Sequence, residues 1–99
     1  MYFTYIIYSP STDTFYKGAT SDIEDRMRRH NAGAEKATKH GAPWTLLWYT
    51  KKESKSEAMK LERKLKNLSR ENTIKLMMKY QQEVAGPDEL LCIKQLSGC

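Results

Sequence analysis

Long apolar runs, cysteines and histidines are all scarce in this chain. No apolar stretch approaches the roughly 20 residues needed to cross a bilayer. The opening MYFTYIIYSP lacks the basic segment that begins a secretory leader. A cytoplasmic protein with no membrane partner is therefore expected. Cysteine occurs twice, as Cys92 and Cys99, and histidine twice, as His30 and His40. Together they match no zinc-ligand spacing, so free thiols in a reducing compartment are the expected state. Glycine (five) and proline (three) are too few for a low-complexity segment, and no repeat or linker is visible. At 99 residues the chain holds one domain rather than two.

What is present is aromatic and basic. The hydrophobic fraction is 39%, and it includes two Trp, two Phe and six Tyr, enough for a compact core. The formal charge of +5 is unevenly spread. Residues 1–50 carry six Lys/Arg against five Asp/Glu, whereas residues 51–99 carry eleven against seven. Within Lys51–Arg70 eight basic residues face three acidic ones. Such a surface suits a polyanion, and nucleic acid is the commonest. A solvated lysine-rich helix would read the same way.

Tyr2 to Tyr8 (YFTYIIY) is aromatic and β-branched, a strand. SPSTDT is turn chemistry and FYK resumes an extended run, which makes residues 2–17 a hairpin. A loop of Ser9 to Thr12 sets Tyr5 directly opposite Tyr16, on one face of the pair. Gly18 is expected to break the strand, and SDIE forms a capping box in which Ser21 caps and Glu24 reaches back. The helix that follows runs to about Asn31, with Gly33 as its stop. Ile23 and Met27 should face the core, with Arg26 and His30 on a neighbouring stripe. Residues 32–43 read as an exposed loop and Trp44 to Thr50 as a third strand. A second capping box, Ser54 to Glu57, opens a helix with Ala58, Leu61, Leu65 and Leu68 on one face. Ser69 starts another, with Ile74, Met77 and Met78 inward. ELLCIKQL reads equally as a short helix or a strand. The sum is a small α+β domain, a three-stranded antiparallel sheet flanked by helices in the order β-β-α-β-α-α. Residues 1–85 form the domain and residues 86–99 a tail packed on it.

The order and spacing of Tyr5, Tyr16, Arg26, His30 and Glu62 resemble the GIY-YIG nuclease superfamily. The chain is most similar to its small stand-alone branch, related to the domain shared by UvrC and intron endonucleases (the URI domain). FTY, Phe3 to Tyr5, stands where GIY would be, and YKG, Tyr16 to Gly18, where YIG would be. Arg26 follows in the helix, His30 matches a histidine of some members, and SEAMKLERKLK resembles the glutamate helix, which places that carboxylate at Glu62. KATKHGAPWTLLWY is similar to the loop and third strand. Lys17 replaces the usual apolar middle residue of YIG. Ala19 stands where some members carry a lysine.

The resemblance implies a metal-dependent DNA endonuclease acting in repair, recombination or related processing, with Mg²⁺ or Mn²⁺ as cofactor and a monomer assumed. It implies Glu62 as metal ligand, Arg26 on the scissile phosphate, Tyr5 as base and Tyr16 orienting the water or phosphate. Arg26 and a metal would have to lower the Tyr5 hydroxyl for it to act as base. His30 would hydrogen-bond Tyr5 or accept its proton. Lys17, Lys36, Lys39, Lys64 and Asn72 are expected DNA contacts without sequence readout. Taken singly, each residue has an ordinary reading: a half-buried strand tyrosine, a solvated arginine, a histidine at a helix C-terminus, Glu62 paired with Lys66, Asn72 in a cap. The alternatives to a nuclease are a non-catalytic nucleic-acid-binding module on the same fold and a protein-interaction domain.

Overall fold

A computed structural model describes residues 1–98; Cys99, the second expected free thiol, lies outside the described residues. The strands are β1 (Tyr2–Ser9), β2 (Thr14–Thr20) and β3 (Thr45–Lys52). The helices are α1 (Ile23–Asn31), α2 (Lys55–Lys66), α3 (Arg70–Lys79) and α4 (Pro87–Leu96). The strands form one antiparallel sheet in the order β2-β1-β3. β1 is central and covered on both faces, which explains its unbroken apolar run. Thr4, Ile6 and Tyr8 face a core built from Leu47, Trp48, Leu65, Ile74, Met77 and Ile93 of β3 and α2 to α4. Tyr5 and Ile7 face a second core with Tyr16, Ile23, Met27, Trp44 and Leu46, under α1.

The hairpin register differs from expectation. The turn is Pro10–Asp13, one residue later, so Tyr5 pairs with Gly18 and Tyr16 with Ile7. Because the turn slid without changing length, the pairing moved by two and no side chain changed face. Asp13 ends the turn with φ 53°, and Arg70 of α3 clasps its carbonyl at 3.0 Å and its carboxylate at 2.9 Å.

Gly18 does not end β2, which continues to Thr20. The Thr20 hydroxyl accepts from the Asp22 amide (3.1 Å), and the cap moves one residue on. The Asp22 carboxylate, not Ser21, accepts from the Asp25 amide at 3.0 Å. At the other end Gly33 takes φ 74°, while the Gly33 and Ala34 amides bond to the carbonyls of His30 and Arg29. This Schellman closure uses glycine where a left-handed residue is required. Ser54 and Ser69 cap α2 and α3 through the amides of Glu57 and Asn72. ELLCIKQL is helical: Pro87 opens α4 at its first turn, and Ile93 is fully buried in the core.

The loop at 32–43 is not simply exposed. Thr38 and Gly41 are buried, and a short 3₁₀ turn spans Lys39–Gly41. The Asn31 side chain accepts from the Trp44 amide at 2.6 Å and donates to its carbonyl at 3.4 Å, tying the end of α1 to the start of β3.

Candidate active site

The site grows from the β1–β2 ladder. Gly18 lies opposite Tyr5, and the tyrosine ring crosses the space left by its missing side chain. That crossing brings the Tyr5 hydroxyl to Nε2 of His30, 2.8 Å away, one turn past Arg26 on α1. His30 is itself only 1% exposed, and its Nδ1 lies 2.8 Å from the Thr38 hydroxyl. The Thr38 hydroxyl donates to the Glu35 carbonyl (3.5 Å), and the Thr38 carbonyl accepts from the Trp44 indole (2.8 Å). Tyr16 closes the group, edge-on to both His30 and Trp44, with ring centroids 5.4 and 6.4 Å away.

Burial pushes the Tyr5 hydroxyl well above the ordinary phenol range, and the Arg26 guanidinium beside it offsets only part of that. Desolvation here outweighs one half-buried guanidinium; the lowering expected of Arg26 and a metal together would need the metal's share as well. Burial also lowers His30 below the usual imidazole value, with Glu35 acting in the opposite sense and Arg26 in the same one. Burial thus favours the neutral imidazole.

Charged groups stand at the rim. Arg26 Nε lies 4.0 Å from the Glu35 carboxylate, which Arg29 shares at the same distance. On α2 the Glu62 side chain is 13% exposed, and its carboxylate lies 3.7 Å from Lys66 Nζ. Lys66 in turn sits over the Tyr16 ring, 5.8 Å from its centroid, within cation–π range. Lys66 thus links Glu62 to the tyrosine and histidine cluster.

Tyr5, Tyr16, Arg26 and His30 are brought together directly, and Glu62 joins them through Lys66. Lys17 pairs with Ile6 and so points to the face opposite Tyr16. Lys36 and Lys39 are exposed on the loop that carries Thr38, and Lys64 is exposed on α2. Asn72 is exposed in the first turn of α3, where its amide takes part in the Ser69 cap. The sequence reading missed Thr38 and Glu35, named Lys66 only as the pair of Glu62, and took Gly18 for a strand breaker. The i,i+4 spacing from Glu62 was the signal for Lys66, and neither Thr38 nor Glu35 had one.

A profile of the GIY-YIG catalytic domain matches residues 1–80, which span all five residues of this cluster. The chain belongs to the GIY-YIG family. Its similar relatives include small UPF0213 proteins. One from Halobacterium salinarum is 42% identical over 71 residues, which is 71% of this chain and 91% of the relative. One from Listeria monocytogenes is 36% identical over 74 residues, 74% of this chain and 82% of the relative. The solution structure of a UPF0213 protein from Bacillus halodurans is similar with a TM-score of 0.55 at 31% identity, covering 90% of this chain and 92% of that one. This GIY-YIG chain thus has a structural counterpart along most of its length, beyond the 80 residues of the profile. Among the described residues no helix is long and apolar enough to cross a membrane.

Proposed function

We propose that this protein is a metal-dependent endonuclease that hydrolyses phosphodiester bonds in DNA, in repair, recombination or related processing. The observation that carries the reading is the convergence of Tyr5, Tyr16, Arg26 and His30 at one corner of the sheet, with Glu62 joined through Lys66. A pure binding module has no need of a lone carboxylate set beside a cluster of proton-transfer groups.

Phosphodiester hydrolysis needs a water relieved of its proton, charge neutralisation on the phosphoryl oxygens and relief of charge on the leaving oxygen. Arg26 offers a planar fork to the phosphate and exchanges Glu35 for it when DNA arrives. Among the described residues no three His, Cys, Asp or Glu side chains cluster as a metal site. A hard cation held by one carboxylate and otherwise by water and phosphate oxygens does not require such a cluster. Glu62 fits that donor role as a carboxylate at the rim of the cluster, and a cation bound there would take the place of the half-exposed Lys66 ammonium. A divalent cation bound there would supply Lewis acidity to the phosphoryl oxygen.

Burial disfavours a standing phenolate at Tyr5. Tyr5 then takes a proton from water as it gives up its own, with His30 Nε2 at 2.8 Å to receive it.

Purified protein should nick supercoiled DNA with Mg²⁺ or Mn²⁺ and remain inert with a chelator. Running supercoiled, linear, branched and single-stranded DNA in parallel would identify the preferred substrate. DNA binding without cleavage in any metal would replace this proposal with the binding-module reading.

A further inference from the structure

From the buried hydrogen bonds beneath the site, we infer that Thr38 is a positioning residue that fixes the tautomer of His30 and so sets the direction in which Tyr5 moves its proton. The inference rests on the nuclease reading for its consequence, but its premise is a property of the resting protein.

A neutral imidazole carries one N–H, and which nitrogen holds it follows from what the other meets. Tyr5 is buried, and among the described residues its hydroxyl proton meets one acceptor, His30 Nε2. The proton of the neutral ring is then on Nδ1, which donates to the Thr38 hydroxyl 2.8 Å away, and the hydroxyl turns its own proton to the Glu35 carbonyl at 3.5 Å. Nε2 is left as an acceptor, and the Tyr5 hydroxyl at 2.8 Å is its donor. The chain of donors runs one way, from Tyr5 to His30 to Thr38 to the Glu35 carbonyl.

The direction matters because Tyr5 has one proton. With that proton committed to Nε2, the lone pairs of its oxygen remain free to accept. As a water O–H bond breaks toward the Tyr5 oxygen, the Tyr5 proton passes to His30 Nε2. The hydroxide so formed bonds to phosphorus, and the bond to the leaving oxygen breaks. His30 becomes an imidazolium whose Nδ1–H still rests on Thr38. The imidazolium returns its proton through Tyr5 to solvent, and solvent protonates the leaving oxygen, so one water is consumed and no net proton is lost. With the opposite tautomer, Nε2–H would donate to Tyr5, whose own proton would turn outward, and the step would have no acceptor.

Two features hold Thr38 in this orientation. It is 1% exposed, so water does not compete for the hydroxyl. Its carbonyl is pinned at 2.8 Å by the indole of Trp44, a residue buried against Tyr16.

The test is Thr38→Val, which keeps the shape and removes the acceptor, with Thr38→Ser as the conservative rescue. Imidazole nitrogen shifts of the metal-free protein report the tautomer directly, with no need of nuclease activity. Wild type and Thr38→Ser should show a protonated Nδ1 and an unprotonated Nε2, and folded Thr38→Val should show the reverse. Nicking should fall about 10²-fold or more in Thr38→Val, the scale of a misdirected general base, and return in Thr38→Ser with DNA affinity unchanged throughout. A wild-type His30 protonated on Nε2, or a tautomer unmoved by Thr38→Val, overturns the inference. A tautomer that switches while the wild type fails to cleave any DNA leaves the Thr38 assignment standing and removes the nuclease reading instead. If Thr38→Val does not fold, Thr38→Ser and the wild-type nitrogen shifts still decide the premise.

Discussion

Tyr5 occupies the volume that any side chain at Gly18 would need: a Cβ built there lies 2.6 Å from the Tyr5 Cζ and closer still to its hydroxyl. The glycine is a cross-strand partner before it is a turn residue. Gly18→Ala should therefore expel the ring from its bond to His30, at about 1–3 kcal/mol of overpacking. Nicking should fall at least tenfold. Ala19→Gly, one residue along the same strand, should leave cleavage close to wild type. Equal effects of the two changes, in thermal melts and nicking assays, would mean that position 18 tolerates a side chain.

Glu62 separates catalysis from simple helix pairing. Glu62→Gln keeps size and removes the anionic donor, so nicking should drop by orders of magnitude. DNA affinity should stay equal or rise slightly, since one negative charge is gone. Stability should change by about 0.5 kcal/mol or less, the worth of an i,i+4 pair with half-exposed Lys66. A folded mutant that nicks at the wild-type rate removes the metal-site assignment.

The buried imidazole gives the fold a pH signature. His30 is held below its ordinary value by burial, so the unfolded chain takes up a proton that the native protein refuses. Stability from this group is complete above the ordinary value of 6.5 and is lost as pH falls below it, toward the lowered native value. Its neighbours are Tyr5, Tyr16 and Thr38, with Arg26 and Glu35 acting through their charges. Melting temperature should accordingly decline between about pH 6.5 and pH 5, and His30→Gln should flatten that decline. Parallel slopes in the two proteins would show that other groups are responsible.

DNA affinity should fall steeply with salt. Eight basic residues in Lys51–Arg70 face three acidic ones, and every phosphate they neutralise releases counterions. A plot of log affinity against log salt should therefore slope downward by several units, without dependence on DNA sequence. A flat line would assign the basic surface to another partner.

Much of this was legible locally. Ser54 and Ser69 announce helices because a cap acts within its own turn, and the α+β class follows from counting such elements. The common face of Tyr5 and Tyr16 was legible too, because strand alternation survives a shift of two in register. The exact pairing was not, since the turn is held by Asp13 in a left-handed conformation under Arg70, 57 residues away. The same limit hid Thr38, whose burial depends on His30 and Trp44 from flanking elements. The burial of Tyr5 was hidden for a related reason. Positive charge nearby is visible in the sequence, whereas the depth at which a hydroxyl will sit is not.

β3 carries a bulge where its pairing with β1 shifts between Ile6 and Ile7, and this bears on how the protein avoids its own copies. Leu47 is the extra residue there, and its carbonyl accepts from the Ala85 amide at 2.9 Å, while Trp48 bridges to Val84. A short piece of chain from beyond the GIY-YIG match thus occupies the outer edge of the sheet at its most irregular point. An incoming strand meets a twisted edge whose middle is already hydrogen-bonded, and it must peel away residues 84–85 before it can pair there. Ala85→Pro removes the amide that bonds to Leu47 while keeping α4 and its buried Ile93 in the core, and it should reveal itself as association through strand addition rather than as a change in chemistry.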